Sequence, residues 1–373
     1  MWSPARWNTV RRLLAALTIL GGLSGASGPD RFGVNMNAGN QAGAQRNVYL
    51  AHKLADTGVR WAYVPIIWAW AEPSESGSTY WGPRAGRFHD YRWEDLDATV
   101  HTLAARGVTI VFQLRSQPGW AGGSGCDVIA GTPHPCGKIR NTHKEKFRDN
   151  FYDFAYHLAS RYPFVKYWSI GNEPNLDLYF SPEPPLLYQS PAAEYMHLLM
   201  IPAREAITSV IPDAVVFGPE LFTCYDRGAN CTQRDRNWGY RTNWIRDWAR
   251  ILLLNWPEYF PIFTIPNYSS DDEGVRRAVH ALWNLMVSLG RPRPIWTTEF
   301  NFGDGTCPGH SEARQRKIAN LVCKTYKHMA WERAFYFDLS GNGCFSLLMP
   351  DDKPKPFLYS AFQAIVAGAY ECR

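Results

Sequence analysis

The chain has 373 residues, of which 46% are hydrophobic and 20% are charged, and its formal net charge is +5 at neutral pH. This length is enough for one large hydrophobic core, such as that of a barrel domain of about 250 residues, and leaves residues for long loops. No basic patch or run occurs, which argues against a nucleic-acid or anionic-membrane partner.

The first 28 residues have the order of a secretory signal peptide. Arg6, Arg11 and Arg12 precede an apolar run at 13–20, and small residues follow at 25–28. The apolar run is shorter than the roughly 20 residues that span a bilayer, and no later segment is long and apolar enough to do so. We therefore expect residues 29–373 to be one exported domain, secreted or periplasmic; a retained signal anchor is the alternative. That portion is nearly neutral, because the 28 residues remove three of 39 basic residues and none of 34 acidic ones.

Short β-rich runs alternate with amphipathic segments along the rest of the chain, which is typical of parallel strands joined by crossover helices. The predicted strands cover residues 32–36, 59–64, 108–114, 165–173, 214–220, 262–266, 294–299 and 334–337. The predicted helices lie within residues 40–58, 93–106, 142–162, 191–210, 244–254, 275–289, 311–331 and 357–367. Eight such units predict an α/β fold, a single-domain (β/α)8 TIM barrel, whose functional residues lie at the carboxyl ends of the strands.

Two of the predicted strands end in a glutamate. The fourth runs into Trp-Ser-Ile-Gly-Asn-Glu-Pro-Asn at 168–175, where Pro174 favours extended geometry for Glu173. The seventh ends in Thr-Thr-Glu-Phe-Asn at 297–301, which contains Glu299. Two carboxylates at one end of a barrel suit cleavage of a glycosidic bond, in which one protonates the leaving oxygen and the other attacks the sugar carbon. A glutamate in an ordinary strand-to-helix turn explains either motif alone.

Together, the two motifs resemble the acid/base and nucleophile signatures of the retaining glycoside hydrolases of clan A, with family 39 nearest and family 5 second. The resemblance covers nearly the whole chain after residue 28. It implies a hydrolase without cofactor that acts on a polysaccharide or oligosaccharide, with Glu173 as acid/base and Glu299 as nucleophile. Family 39 xylosidases usually carry an added β-domain that is not visible here, so the chain looks more like single-domain members that cut within polysaccharides. We expect a monomer.

Further residues near this site follow from the resemblance or from position. Asn172 matches the residue that hydrogen-bonds the sugar hydroxyl beside the reacting carbon; a turn residue is the alternative. Tyr268 corresponds to a tyrosine that contacts the nucleophile. Arg60, in the second predicted strand, is expected to point into the barrel and keep Glu299 ionised, and an exposed or helix-facing arginine is the alternative.

Aromatic and acidic residues complete the expected site. Trp68 and Trp120 lie in loops on its face and are candidates for stacking on sugar rings, with simple loop packing as the alternative. Trp296 is expected to face the helices, because strand alternation places it opposite to the residue three positions later. Phe337 stands at the end of the eighth strand, where the clan often has a tryptophan, and Glu220, which ends the fifth, is expected to be a supporting or subsite residue.

Other chemistries lack a motif in this sequence. No Gly-x-Ser-x-Gly occurs, and the ten histidines show no His-Glu-x-x-His or other ligand spacing, so neither a serine nucleophile nor a metal is expected. Two alternatives to the hydrolase remain: a carbohydrate-binding barrel without catalysis, and a transglycosylase that uses the same residues.

The eight cysteines include no Cys-x-x-Cys pair, which favours a disulfide framework in an exported protein over a zinc site. Position in the predicted fold suggests the pairs Cys126 with Cys136, Cys224 with Cys231, Cys307 with Cys344, and Cys323 with Cys372.

Overall fold

Eight parallel strands form the centre of the molecule, whose computed structural model describes residues 28–36, 43–123, 137–222, 245–269, 272–302, 311–327, 331–341 and 346–372. The strands are β1 (Phe32–Asn35), β2 (Trp61–Ile67), β3 (Thr109–Arg115), β4 (Tyr167–Ile170), β5 (Val215–Phe217), β6 (Phe263–Ser269), β7 (Ile295–Phe302) and β8 (Arg333–Tyr336). Their order in the sheet is β6-β7-β8-β1-β2-β3-β4-β5, and a parallel bridge between Gly218 and Phe263 joins the two outer strands. The sheet thus closes into the predicted (β/α)8 barrel.

Helices connect the strands and cover the outside of the barrel. They are α1 (Ala44–Asp56), α2 (Glu94–Ala105), α3 (Lys144–Arg161), α4 (Pro191–Tyr195, Met196–Met200 and Ile201–Val210, the middle part being π-helical), α5 (Ile245–Asn255), α6 (Asp272–Ser288), α7 (Glu312–Lys327) and α8 (Leu358–Val366). Each presents an apolar stripe to the strands; α1, for example, buries Leu50, Ala51 and Leu54. Gly58 and Gly107 follow α1 and α2 with φ of 83° and 69°, a left-handed conformation in which glycine ends a helix without strain.

Aromatic rings fill the barrel at the amino ends of the strands. Trp61 packs edge-on against Tyr167 and Trp296, with ring centroids 4.9 and 5.7 Å apart. The guanidinium of Arg333 covers Trp61 from outside at 3.5 Å. We call the whole group the aromatic floor: Trp61, Tyr63, Val111, Tyr167, Val215, Phe217, Ile262, Trp296 and Phe335. Because the floor is closely packed, a ligand has access only to the opposite end, where the strands finish.

A register irregularity in β7 reverses one expectation. β6 pairs Ile265 with Thr297 but Pro266 with Glu299, so β7 accommodates one extra residue between these pairs. A bulge of this kind interrupts the alternation of side chains along a strand. Trp296 therefore lies in the floor inside the barrel, on the same side as Glu299, and the expectation that it faces the helices is wrong.

A disulfide joins Cys323 of α7 to Cys372, which is one of the four pairs suggested from the sequence. The other six cysteines, and residues 1–27 of the predicted signal peptide, lie outside the described residues. Within the described ranges, no helix is both long and apolar enough to cross a membrane, and no three His, Cys, Asp or Glu side chains are grouped as a metal site would need.

Candidate active site

Buried polar side chains meet where β3 to β7 end. Glu299 and Tyr268 lie within β7 and β6, Arg115 ends β3, and Glu173 follows β4. These positions come together because the strands are parallel and finish at the same end of the barrel.

Glu299 is held from two sides. Its side chain is 10% exposed, and the hydroxyl of Tyr268 donates a hydrogen bond of 2.6 Å to Oε2. Nη1 of Arg115 lies 3.7 Å from Oε1. Burial raises the pKa of Glu299, whereas Arg115 and Tyr268 act in the opposite direction because they stabilise the charged form. The carboxylate is thus oriented by one hydrogen-bond donor and one cation. The contact of Tyr268 with this residue is the one that the resemblance implied.

Glu173 lies in a tight turn after β4. Its φ is 42°, a left-handed conformation, so the extended geometry expected before Pro174 is wrong. Such a conformation costs about 1–3 kcal/mol in a residue other than glycine and persists where the surroundings fix it. Here the N–H of Glu173 donates to the carbonyl of Glu220 at 3.0 Å, and the N–H of Leu176 donates to the carbonyl of Glu173 at 2.8 Å. The turn leaves the carboxyl half-buried.

Glu173 and Glu299 both affect the pKa values of the same two tyrosines, Tyr268 and Tyr179. Burial raises the pKa of Tyr268, and Glu299 and Glu173 both raise it further. Burial also raises the pKa of Tyr179, in the connection between β4 and α4, and again both glutamates add to the effect. Both carboxyl groups therefore lie near enough to Tyr268 and Tyr179 to act on them electrostatically, at the end of the barrel where β4, β6 and β7 finish.

Asn172 is fixed by two donors. Its Oδ1 accepts hydrogen bonds of 3.0 Å from Nε2 of Gln113 and of 3.0 Å from Nη1 of Arg115. A side-chain oxygen engaged in this way leaves the amide N–H groups as the donors that Asn172 offers to Tyr179 or to a ligand hydroxyl. The sugar-hydroxyl contact expected for Asn172 stays a prediction, and these N–H groups are the donors that would make it.

Arg60 lies outside the site. β2 begins at Trp61, so Arg60 precedes the strand, at the amino end of the barrel. Its side chain is 66% exposed and its Nη1 lies 3.3 Å from Oδ1 of Asp30. The expectation that Arg60 keeps Glu299 ionised is wrong, and Arg115 occupies that role.

Trp68 and Trp120 lie in the short helices Trp68–Ala71 and Gly119–Gly122, which follow β2 and β3, and they pack against each other. Trp68 is fully buried, stacks on Phe154 at 5.4 Å, and donates its indole N–H to Oε2 of Glu72 at 2.8 Å. Trp120 packs edge-on against Trp68 at 5.6 Å, and the guanidinium of Arg87 covers its ring at 4.6 Å. Trp68 is buried among protein side chains, so the sugar-stacking expectation is wrong for it; Trp120 is half-buried, and its stacking on a sugar stays a prediction.

Phe337 and Glu220 are both near the site, at different depths. Phe337 follows β8, is half-buried, and meets the ring of Tyr268 edge-on with centroids 5.7 Å apart. Glu220 follows β5 and is fully buried, with Tyr63 and Gln113 donating to its carboxyl. Phe337 thus borders the open end, whereas Glu220 lies behind the polar cluster as a supporting residue.

Sequence reasoning missed Arg115, Gln113, Tyr63 and Tyr179. The signal for Arg115 was the same as for the two glutamates, a charged residue directly after a buried apolar run. Gln113 also interrupts the apolar run of the third strand, and a polar residue in a barrel strand must find buried partners. Nothing in the sequence around Tyr63 or Tyr179 distinguishes them from the other 17 of the 19 tyrosines.

Comparison with solved structures finds the same fold in several glycoside hydrolases. A family 39 glycoside hydrolase from Bacteroides cellulosilyticus superposes with a TM-score of 0.57 at 16% identity, over 91% of this chain and 64% of that one. A monomeric β-xylosidase from Caulobacter crescentus gives 0.62 at 16% identity, over 92% and 69%. An endoglucanase from Thermotoga maritima gives 0.51 at 12% identity, over 89% and 96%. The chain therefore has the barrel fold of these solved glycoside hydrolases.

These likenesses concern the fold. The chain spans 64% of the length of the family 39 enzyme, so it is similar to a part of that protein. No protein-family model and no curated protein sequence matches the chain.

Proposed function

We propose that the protein is a retaining glycoside hydrolase, with Glu299 as nucleophile and Glu173 as acid/base. The observation that carries the proposal is that Glu299 of β7, hydrogen-bonded to Tyr268, and Glu173, in the turn after β4, both stand at the carboxyl end of the barrel and both act electrostatically on Tyr268 and Tyr179. Glycosidic cleavage needs such a pair in two different environments. Glu299 is buried between a cation and a hydroxyl, whereas Glu173 is half-buried in a turn. The fold of the solved glycoside hydrolases supports the same function.

In the first step, a carboxylate oxygen of Glu299 forms a bond to the anomeric carbon. Tyr268 holds Oε2, which leaves Oε1 to attack. The bond from this carbon to the leaving oxygen breaks, and Glu173 transfers its proton to that oxygen. The products are the free aglycone and a glycosyl ester of Glu299. The amide of Asn172 donates to the hydroxyl on the neighbouring carbon, a hydrogen bond that strengthens as positive charge develops on the sugar.

In the second step, Glu173 works as a base. Its carboxylate takes a proton from water, the water oxygen attacks the anomeric carbon, and the ester bond to Glu299 breaks. Two inversions leave the anomeric configuration as it was. Arg115 and Tyr268 stabilise the carboxylate that Glu299 becomes again.

The test is release of sugar from a panel of β-linked polysaccharides and aryl glycosides by the wild type, Glu173→Ala and Glu299→Ala. We expect both variants to lose activity. With azide present, Glu173→Ala should recover activity on activated aryl glycosides, since azide replaces the water that needs a base, and NMR should identify a β-glycosyl azide. Glu312→Gln, which removes an exposed glutamate of α7, is the matched control.

Two outcomes contradict the proposal. Turnover that persists in Glu299→Ala excludes this residue as nucleophile. Absence of turnover by the wild type on every substrate, with unchanged binding of one of them by both variants, favours a carbohydrate-binding barrel instead.

We also propose that the protein acts outside the cytoplasm, as a domain of residues 29–373. The basic, apolar and small-residue order of the first 28 residues supports export, as does the disulfide between Cys323 and Cys372, since such bonds persist in oxidising compartments. Amino-terminal sequencing of the protein recovered outside the cytoplasm tests this, and an unprocessed protein retained in the cytoplasm contradicts it.

A further inference from the structure

A third carboxyl group, that of Glu220, lies directly behind the two glutamates. Its side chain is fully buried. The hydroxyl of Tyr63 donates to Oε2 at 2.7 Å, and Nε2 of Gln113 donates to the same oxygen. The main chain of Glu220 is fixed as well, because its N–H donates to Oγ1 of Thr264 at 2.8 Å and its carbonyl accepts from the N–H of Glu173 at 3.0 Å.

Gln113 connects Glu220 to the turn that carries the proposed acid/base. The same Nε2 that donates to Glu220 lies 3.0 Å from Oδ1 of Asn172 and 3.2 Å from the carbonyl of Gly171. Glu220 therefore contacts this turn twice, through the side chain of Gln113 and through its own carbonyl, which accepts from Glu173. A shift of Glu220 would displace both Asn172 and Glu173.

Glu220 has no counter-charge of its own. Among the described residues, no Lys or Arg forms an ion pair with it; Arg115, the cation of the site, pairs with Glu299 at 3.7 Å. Two buried carboxylates next to one cation do not both keep a negative charge. Glu299 also has the hydroxyl of Tyr268, so Glu299 keeps the charge and Glu220 takes up the proton.

The groups around Glu220 that favour its charged form act more weakly than those that favour its neutral form. The titratable, charged and polar side chains that face it are Tyr63 from β2, Gln113 and Arg115 from β3, Tyr195 from α4, Thr264 from β6, and Thr298 and Glu299 from β7. Burial and the charge of Glu299 raise the pKa of Glu220 to about 8, against the weaker effects of Thr298, Tyr63 and Arg115. Since Tyr63 and Gln113 both donate to Oε2, the proton resides on Oε1.

We propose that Glu220 is a positioning residue: a neutral, protonated carboxyl that fixes Asn172 and Glu173 without placing a second negative charge beside Glu299. The positioning role of Glu220 rests on the proposed function, because it assumes that Asn172 and Glu173 act on a substrate. The protonation of Glu220 does not depend on that function. Like a side-chain amide, a protonated carboxyl is uncharged and offers both a hydrogen-bond donor and an acceptor to the turn.

The first experiment observes the proton directly. The protein is labelled with ¹³C at the side-chain carboxyl of glutamate and titrated by NMR, and the resonance missing in Glu220→Gln is that of Glu220. We expect this resonance to be that of a protonated carboxyl at neutral pH and to titrate only at alkaline pH. In Glu299→Gln it should titrate at lower pH, because the neighbouring charge is gone. The control, Glu312→Gln, should leave this resonance in place.

The second experiment separates position from charge in catalysis. Glu220→Ala should lower kcat by about 10²-fold, the effect of misplacing a catalytic group by about 1 Å, with a smaller change in KM. Glu220→Gln, which keeps the shape and the hydrogen bonds, should recover most of that loss. The acidic limb of its kcat/KM profile should stay where the wild type has it, since no charge was removed.

Several results would overturn the proposal. They are a carboxylate resonance for Glu220 at neutral pH, an acidic limb that moves to lower pH in Glu220→Gln, or a wild-type kcat in Glu220→Ala. If Glu220→Ala does not fold, the NMR titration of Glu220 and the pH profile of Glu220→Gln still test the proposal. If no glycoside is cleaved, the proposed function fails, and the titration still reports whether Glu220 carries a proton.

Discussion

Replacement of Tyr268 by phenylalanine tests how Glu299, the proposed nucleophile, is kept ionised. The substitution removes one hydroxyl and keeps the ring that packs against Phe337. The lost contact is the 2.6 Å hydrogen bond to Oε2 of Glu299. That hydrogen bond lowers the pKa of Glu299 against the effect of burial, so its loss raises this pKa.

The size of the effect follows from the type of contact. A hydrogen bond to a charged group contributes about 1.5–3 kcal/mol. One pH unit in a pKa corresponds to about 1.4 kcal/mol, so the pKa of Glu299 should rise by about one to two pH units in Tyr268→Phe. Glu299 must be ionised to attack, so the acidic limb of kcat/KM should move to higher pH by the same amount.

The assay is the pH dependence of kcat/KM on an aryl glycoside, which reports ionisations of the free enzyme. Tyr162→Phe is the matched control, since Tyr162 also donates to a carboxylate, Oδ1 of Asp97, at 2.8 Å, but outside the barrel. It should lower stability and leave the acidic limb in place. An unchanged limb in Tyr268→Phe, or an equal displacement in both variants, refutes the reasoning.

Three further predictions concern stability. Between about pH 4.5 and pH 8, folded Glu220 binds a proton that the unfolded chain releases, so the free energy of unfolding falls as the pH rises. Urea unfolding at about pH 4.5 and at about pH 8 should differ by a loss on the order of 4 kcal/mol, which should be absent in Glu220→Gln. Lys144→Ala leaves the fully buried Glu194 without the cation 3.1 Å away and should lower the free energy of unfolding by about 3–5 kcal/mol; a loss below about 1 kcal/mol in urea titrations contradicts this. Removal of the disulfide between Cys323 and Cys372 by the double substitution Cys323→Ser and Cys372→Ser opens a loop with a sequence separation of 49 and should lower the free energy of unfolding by about 4 kcal/mol; an unfolding midpoint equal to that of the wild type would contradict that value.

The strands and the two glutamates could be predicted because they follow from local patterns. Each of the eight predicted strands occurs, with ends displaced by at most three residues. An apolar run that stops at a charged residue identifies both a buried strand and a side chain at the end of the barrel. Glu173 and Glu299 satisfy this rule, and so does Arg115.

The wrong predictions have a common physical cause. Each depends on where a strand starts, how it pairs or what a side chain packs against, and local sequence patterns do not record these. Arg60 was assigned to the site because β2 was started two residues too early, which moved it from outside the barrel to inside. Trp296 was assigned to the outer face because the extra residue in β7 depends on pairing with β6. The burial of Trp68, in the short helix after β2, depends on the stacking of its ring on Phe154 of α3. Register and tertiary packing are settled by neighbours far away in the chain.

The aromatic floor limits how this protein can change in evolution. Its rings come from several strands and touch one another, so shortening one side chain leaves a cavity and costs about 3–5 kcal/mol, while enlarging one causes a clash. A deeper pocket would need coordinated substitutions in several strands at once. Among the described residues, it is at the strand ends and connections of the opposite end that a substitution can reach a ligand without disturbing the floor.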